Sequence, residues 1–202
     1  PEWADQRIMS GLSSGEGLIW AVRDPIEKQE PVREQRRPTG EYDTVIVDSG
    51  VADKRLLIRE TEFASVLKVM SRDGNTLSAL VRQAWDSGDL RTLTKNSPAV
   101  ATGAHISIMG HITKNELLRH ITDTELANGF ANRFLWVCAK RARILPEGGG
   151  TPNLQRLTPR LQKALIKART IGQLSRDDTA RQAWAEIYPD LSNGKLGLFG
   201  AA

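Results

Sequence analysis

The stretch Ile106-Ser-Ile-Met-Gly-His-Ile-Thr-Lys-Asn-Glu-Leu117 joins an apolar strand pattern to a polar turn and then to a helix start. Thr113 and Glu116 have the Thr-x-x-Glu spacing of a capping box, which marks the amino end of a helix. In a parallel sheet, His111 and Thr113 would therefore lie at the carboxyl end of a strand, where ligands bind in open α/β folds. A phosphate-sensing turn fits this pattern, and so does a plain helix cap.

Strand-like and helix-like segments alternate on both sides of this turn. Apolar runs predict strands, and apolar residues at helical spacing predict helices between them. Such alternation favours an α/β fold with a mainly parallel sheet flanked by helices. The predicted strands cover residues 7–11, 53–60, 89–94, 99–109 and 134–139, and the main predicted helices begin after Ser13, Thr61 and Asn75.

The composition of the chain divides it into a core, a linker and a helical end. Residues 1–145 carry the strand-helix alternation, interrupted at 23–42 by prolines and mixed charges that predict a mobile loop or a β-excursion. Residues 146–152 include Gly148-Gly-Gly150 and read as a linker. Residues 153–202 contain two amphipathic patterns, at 158–171 and 176–188, and we expect a truncated helical appendix there.

The charge and cysteine content narrow the classes of protein to which the chain can belong. The 202 residues include 28 basic and 24 acidic side chains, a net charge of +4 that allows nucleic acid as a partner without requiring it. The single cysteine, Cys138, lies in an apolar run, so we expect a buried thiol and a reducing cytoplasm. No membrane partner is predicted, and the histidines share no zinc-ligand spacing with Cys138.

Three glutamates are candidates for phosphate chemistry. An ATPase needs an acidic residue at a strand end, to bind a metal or to orient the attacking water. Glu60 ends a predicted strand and Glu62 follows in the first helical turn, where a carboxylate also stabilises the helix. Glu16, in the turn after the first strand, either orients a water or caps its helix. No Gly-x-x-x-x-Gly-Lys-Ser/Thr loop occurs in the chain.

Two basic features follow the sensor-like turn. Asn132 and Arg133 lie between Phe130 and Phe134, so packing could hold the arginine fork toward a phosphate, as an arginine finger requires. A salt-bridged arginine at a strand edge is the alternative. Lys140, Arg141 and Arg143 then form a small basic cluster, which is either a contact for DNA phosphates or a solvated face.

Taken in order, five segments resemble the YfjI-like family of domain-of-unknown-function proteins. That family is similar to RepA/RecA-type P-loop ATPases and accompanies primase-polymerase modules of phages, plasmids and integrated elements. The resemblance covers nearly the whole chain. The segments that carry it are Ser10-Gly-Leu-Ser-Ser-Gly-Glu-Gly-Leu-Ile19, Leu56-Leu-Ile-Arg-Glu-Thr-Glu-Phe-Ala64, Leu77-Ser-Ala-Leu-Val-Arg-Gln-Ala-Trp-Asp86, Ile108-Met-Gly-His-Ile-Thr113 and Gly129-Phe-Ala-Asn-Arg-Phe-Leu-Trp136.

The resemblance implies a RecA-like core and a role for each candidate residue. Glu60 or Glu62 would end the Walker B strand, His111 and Thr113 would form the sensor turn, and Arg133 would be an arginine finger. It also implies a phosphate-binding loop upstream of this chain, ATP and Mg²⁺ bound by the intact parent protein, and a homo-oligomer acting on DNA as a helicase or translocase. A nonenzymatic nucleic-acid-binding or assembly module with an ATPase-like sheet is the competing hypothesis.

Overall fold

The computed structural model describes residues 2–34, 37–93, 99–151 and 153–192. It separates into two compact units, one that ends at Phe134 and one that begins at Leu135. The first unit contains every strand of the described residues. Each unit is considered by itself below.

A small parallel sheet organises the first unit. Its strands are β1 (Ile8–Met9), β4 (Arg55–Glu60) and β7 (His105–Gly110), in the order β1-β4-β7. Both pairings are parallel, and the register sets Glu60 opposite Gly110 at the carboxyl ends of β4 and β7. The predicted α/β fold with a parallel sheet and flanking helices is thereby confirmed, although the sheet has only three strands among the described residues.

Helices α2 (Gly15–Trp20), α3 (Phe63–Met70) and α4 (Leu77–Asp86) supply most of the core. Helix α2 lies so close to α4 that a Cβ at Gly15 would come within 2.2 Å of Leu80 Cδ1. Their apolar faces are buried as the helical spacing predicts, except that Trp85 is 67% exposed. The largest fully buried side chains are Phe130, Ile19, Leu56, Leu77, Leu90, Val22 and Val66.

The helix that follows β7 begins where the sequence predicts. Helix α5 (Lys114–His120) has Thr113 as its N-cap, and both bonds of the capping box with Glu116 are present. Helix α6 (Asp123–Ala127) also begins after a capping threonine, because the Thr122 side chain accepts a hydrogen bond from Glu125 N. These caps fix the exit of the chain from the sheet by contacts within a single helical turn.

Part of the proline-rich predicted excursion is a β-hairpin. Strands β2 (Ile26–Glu34) and β3 (Arg37–Asp48) pair antiparallel, with irregular register near Ile26 and near Pro31. Its base is closed by Arg23, which binds Asp48 at 2.8 Å and lowers the pKa of that carboxyl. Of the two alternatives for this segment, the structure has the β-excursion, and its described side chains are mainly exposed.

Two predicted strands differ from the structure. Residues 99–109 do not form one strand but β6 (Val100–Ala101) and β7, separated by a bend; β6 pairs with β5 (Leu90–Arg91) instead. Residues 134–139 form no strand: Leu135 is 92% and Val137 79% exposed, and Cys138 is exposed rather than buried. An apolar run needs a neighbouring strand to pair with, and no described strand pairs with this one.

Among its described residues, the second unit contains two helices, α7 (Leu157–Thr170) and α8 (Asp178–Ser192). Neither helix buries a residue within the structure. In α8, Trp184 packs against Tyr188 and under the guanidinium of Arg176. Within the described parts of the two units, no helix has the length and apolar content needed to cross a bilayer.

Candidate functional site

The carboxyl edge of the sheet is built around Glu60. The Glu60 side chain is 7% exposed, and its Oε1 accepts a hydrogen bond of 2.7 Å from Leu12 N in the loop between β1 and α2. The Glu60 carbonyl accepts a bond of 2.9 Å from His111 N. Glu60 therefore joins the chain segments that leave all three strands, and its carboxylate sits where α/β folds bind ligands.

The turn after β7 is held by backbone bonds on both sides of His111. Besides the bond to Glu60, the His111 carbonyl accepts a bond of 2.8 Å from Phe63 N at the start of α3. Gly110 makes this approach possible, since a Cβ there would lie 2.7 Å from the Phe63 ring. The backbone of His111 is thus fixed while its side chain is exposed, as a ligand-sensing imidazole requires.

Thr113 contributes less to this edge than the sequence pattern suggests. Its hydroxyl donates to Glu116 Oε2 at 2.9 Å and accepts from Glu116 N at 3.3 Å. The same contact holds the pKa of the Glu116 carboxyl below its ordinary value. Because the single O–H donor of Thr113 is used in the cap, His111 is the side chain of this turn that is open to donate to a phosphate.

Glu62 and Glu16 have different surroundings from Glu60. Glu62 is the exposed N-cap residue of α3 and makes no side-chain capping bond. Glu16 lies in the first turn of α2, where its Oε1 accepts a bond of 3.1 Å from the Thr76 hydroxyl. Asn75 also binds Ser13 O nearby, at 3.0 Å. Glu16 therefore helps to join the amino ends of α2 and α4, whereas the side chain that caps α2 is that of Ser14 rather than that of Glu16.

Arg133 lies in a short 3₁₀ helix, Ala131–Arg133, and its described polar contacts run to Gly129 and Asp86. Its Nη1 donates to the Gly129 carbonyl at 2.9 Å, and its Nη2 pairs with Asp86 at 3.1 Å. Packing of Phe134 on Phe63 and Phe130 supports this segment. Its neighbour Asn132 is exposed.

Asp86, the partner of the Arg133 fork, ends α4. Phe134, the residue after Arg133, packs on Phe63, whose backbone N donates to His111 O at the carboxyl edge of the sheet. A finger acting on a nucleotide would have to leave Asp86.

Lys140, Arg141 and Arg143 belong to the second unit. They are exposed and lie outside regular secondary structure. None of the salt bridges among the described residues includes them. They are available to an anionic partner, but no element fixes their spacing.

Two groups of polar contacts at the amino edge of the sheet could not be predicted from the sequence. Lys54, just before β4, binds Asp24 at 2.6 Å and also the carbonyls of Val22 and Arg23. Burial opposes ionisation of Asp24, but hydrogen bonds from Lys54 and Thr102 outweigh it and lower the Asp24 pKa. This cluster connects segments far apart in the chain, so no local signal marks it.

Arg7, the last residue of the short helix α1 (Glu2–Arg7), is the second missed residue. It is 6% exposed, and its guanidinium donates to the carbonyls of Arg55 at 2.8 Å and Ala21 at 3.1 Å. Ala21 is the C-cap of α2, where the helix dipole favours a cation. Arg7 therefore connects the end of α2 to the start of β4 and has a structural role.

Replacing Arg7 with methionine should lower the free energy of unfolding by about 2–4 kcal/mol, because two partly buried carbonyls lose a charged donor. Methionine keeps much of the apolar stem, so packing changes little. The matched control is Arg59→Met, at an exposed position on β4, which should change stability by less than about 0.5 kcal/mol. Urea unfolding followed by tryptophan fluorescence measures both, and equal values would contradict the assigned role of Arg7.

The donor groups at the carboxyl edge can be compared with the needs of Mg²⁺. Among the described residues, no group of three or more His, Cys, Asp or Glu side chains is arranged to hold a metal. Mg²⁺ bound with a nucleotide commonly takes only one or two carboxylates and completes its shell with phosphates and waters. Glu60 by itself could supply the one carboxylate that a nucleotide-bound Mg²⁺ ion needs.

Three kinds of comparison with known proteins add no relative from which a role could be transferred. No family model, curated protein or solved structure matches this chain. The candidate site therefore rests on the geometry of its own residues: a buried carboxylate at the end of the middle strand and an exposed imidazole on the adjoining turn.

Proposed function

We propose that this chain is the part of a RecA-like P-loop ATPase that follows the phosphate-binding loop. The complete protein would act as a DNA helicase or translocase in the replication or maintenance of a phage, plasmid or integrated element. The observation that supports this most is Glu60, a carboxylate that is 7% exposed at the carboxyl end of the middle strand of a parallel sheet. Burial of a carboxylate costs free energy unless hydrogen bonds compensate, and the bond from Leu12 N holds Glu60 in this position.

Each residue of the edge has a role in this proposal. Glu60 orients the water that attacks the γ-phosphate, and the exposed His111 side chain contacts that phosphate from the neighbouring strand end. Bound Mg²⁺ would neutralise phosphate charge. Thr113 positions His111 through its cap, and Glu16 positions the loop after β1. Glu60 is favoured over Glu62, because only Glu60 is held by a bond from the β1–α2 loop.

The proposal extends to partners as well. An ATPase of this kind places ATP between subunits, so the complete protein would be a homo-oligomer and Arg133 would serve a neighbour's nucleotide. DNA is the proposed substrate of the motor, and a primase-polymerase module is its proposed companion. The second unit, with Lys140, Arg141 and Arg143, would provide contacts to DNA phosphates.

The direct test is ATP hydrolysis by the protein encoded by the complete reading frame. We expect Mg²⁺-dependent hydrolysis that DNA stimulates, and a Gly-x-x-x-x-Gly-Lys-Ser/Thr sequence roughly 30–50 residues before Pro1. The 202-residue chain alone should bind ATP weakly or not at all, since it lacks the loop that cradles the phosphates. A reading frame without this loop, or a complete protein without ATP hydrolysis, would favour the nonenzymatic module.

A further inference from the structure

Helix α7 concentrates positive charge to a degree that no other described helix does. It includes Arg160, Lys163, Lys167 and Arg169, Arg156 is its N-cap residue, and it contains no acidic residue. Helix α8 of the same unit differs, since it contains Asp178, Glu186 and Asp190 beside Arg181, which pairs with Asp178 at 3.2 Å. The basic character is thus a property of α7 rather than of the unit as a whole.

Four of these cations lie in one line. Arg156, Arg160, Lys163 and Lys167 follow one another at steps of four, three and four residues, the spacing that keeps side chains on one helix face. At 1.5 Å per residue, the line is roughly 16 Å long. All four residues are exposed, and none belongs to a salt bridge among the described residues. We call these four residues the basic stripe.

The stability of the helix does not explain the basic stripe. Cations stabilise the carboxyl end of a helix and destabilise its amino end. Lys167 lies in the last turn and gains from the dipole, but Arg156 and Arg160 lie at the amino end, where an acidic residue would be favoured. Like charges at this spacing also repel one another. A bound polyanion would relieve both costs.

We propose that the basic stripe binds the phosphate backbone of a nucleic acid. Each strand of a duplex carries a phosphate about every 3.4 Å along its axis, and a line of four exposed cations can contact several of these charges. Contacts of this kind position a protein on nucleic acid without reading its sequence. Helix α7 also carries the exposed residues Leu157, Leu161 and Leu165 on another face, so an anionic membrane is the competing partner. The lack of an aromatic residue in α7 favours nucleic acid, because helices that lie in a bilayer surface commonly have Trp or Phe beside Leu.

This proposal concerns a site separate from the sheet edge and does not depend on ATP hydrolysis. The basic stripe shares no residue with Lys140, Arg141 and Arg143, which lie outside regular secondary structure, so that no helix or strand fixes their spacing. Substitutions in the stripe should leave the DNA-independent ATPase rate of the complete protein unchanged. A failure of either proposal would therefore leave the other standing.

The test is the affinity of the 202-residue chain for a short fluorescein-labelled DNA duplex of mixed sequence, measured by anisotropy at about 50–200 mM salt. The triple variant Arg160→Gln, Lys163→Gln, Lys167→Gln should bind at least about tenfold more weakly at the middle of this range. It should also lower the slope of log K against log salt by about 3. Glutamine is a good helix former, so the far-ultraviolet circular dichroism should not change.

The matched control is the triple variant Arg119→Gln, Arg169→Gln, Arg181→Gln, which removes the same net charge from exposed positions outside the stripe. It should keep most of the affinity and the salt slope. Equal losses in both variants would show that binding follows net charge alone and would overturn the proposal. So would an unmodified chain that binds phosphatidylserine vesicles but not the duplex.

Discussion

Replacing Glu60 with glutamine should lower ATP hydrolysis by the complete protein about 10²- to 10⁴-fold, the usual contribution of a positioned general base. Glutamine has nearly the same shape, and its amide oxygen can still accept the bond from Leu12 N. The free energy of unfolding should therefore change by no more than about 1 kcal/mol. The substitution separates the chemical role of the carboxylate from its structural one.

Glu62→Gln is the matched control, because Glu62 is two residues away, exposed and without a side-chain capping bond. It should keep turnover within about twofold of the unmodified protein, as exposed substitutions outside a site commonly do. Glu60→Ala should also lower stability, since the loop bond is then lost. If Glu60→Gln hydrolyses ATP at the unmodified rate, Glu60 only anchors the loop and the proposed chemistry at this edge is wrong.

Replacing Arg133 with alanine should abolish DNA-stimulated ATP hydrolysis and leave nucleotide binding largely intact. Arginine fingers contribute about 10³- to 10⁵-fold to turnover, because the guanidinium neutralises charge that develops in the transition state. In the described subunit this guanidinium binds Asp86, whose side chain is 58% exposed. The Arg133 side chain itself is only 25% exposed and also donates to the Gly129 carbonyl, so the fork must give up both bonds to reach a neighbour's phosphate.

The partner residue supplies the control for Arg133. Asp86→Asn removes the ion pair but leaves the guanidinium in place, so a finger predicts nearly normal turnover for this variant. A structural arginine predicts that Asp86→Asn and Arg133→Ala lose turnover together and unfold at similarly reduced denaturant concentrations. Steady-state ATPase assays and urea unfolding of the two variants decide between these outcomes.

Mixing experiments locate the subunit on which Arg133 acts. A protein with Arg133→Ala keeps its own phosphate-binding loop, while a protein with a disabled loop keeps its arginine. Mixed oligomers should regain part of the activity if the arginine acts across an interface. Absence of any recovery would place its action within one subunit.

Local patterns in the sequence predicted the features that depend on neighbouring residues. The capping box of Thr113 and Glu116 is closed within one turn of helix, so it forms whatever the rest of the fold does. The alternation of strand and helix likewise predicted the parallel sheet and set Glu60 and His111 at the same edge.

Only the tertiary structure determined which residues the charged side chains bind and which apolar runs form strands. The bonds from Arg7 to Arg55, from Leu12 to Glu60 and from Arg133 to Asp86 join residues 47 or 48 positions apart, and periodicity carries no information about such separations. Residues 134–139 have a strand-like composition but no strand to pair with, so they stay outside the sheet. The sequence thus determined the helix starts and the order of the main elements, because their signals are local, while packing decided which apolar runs become strands and which elements meet.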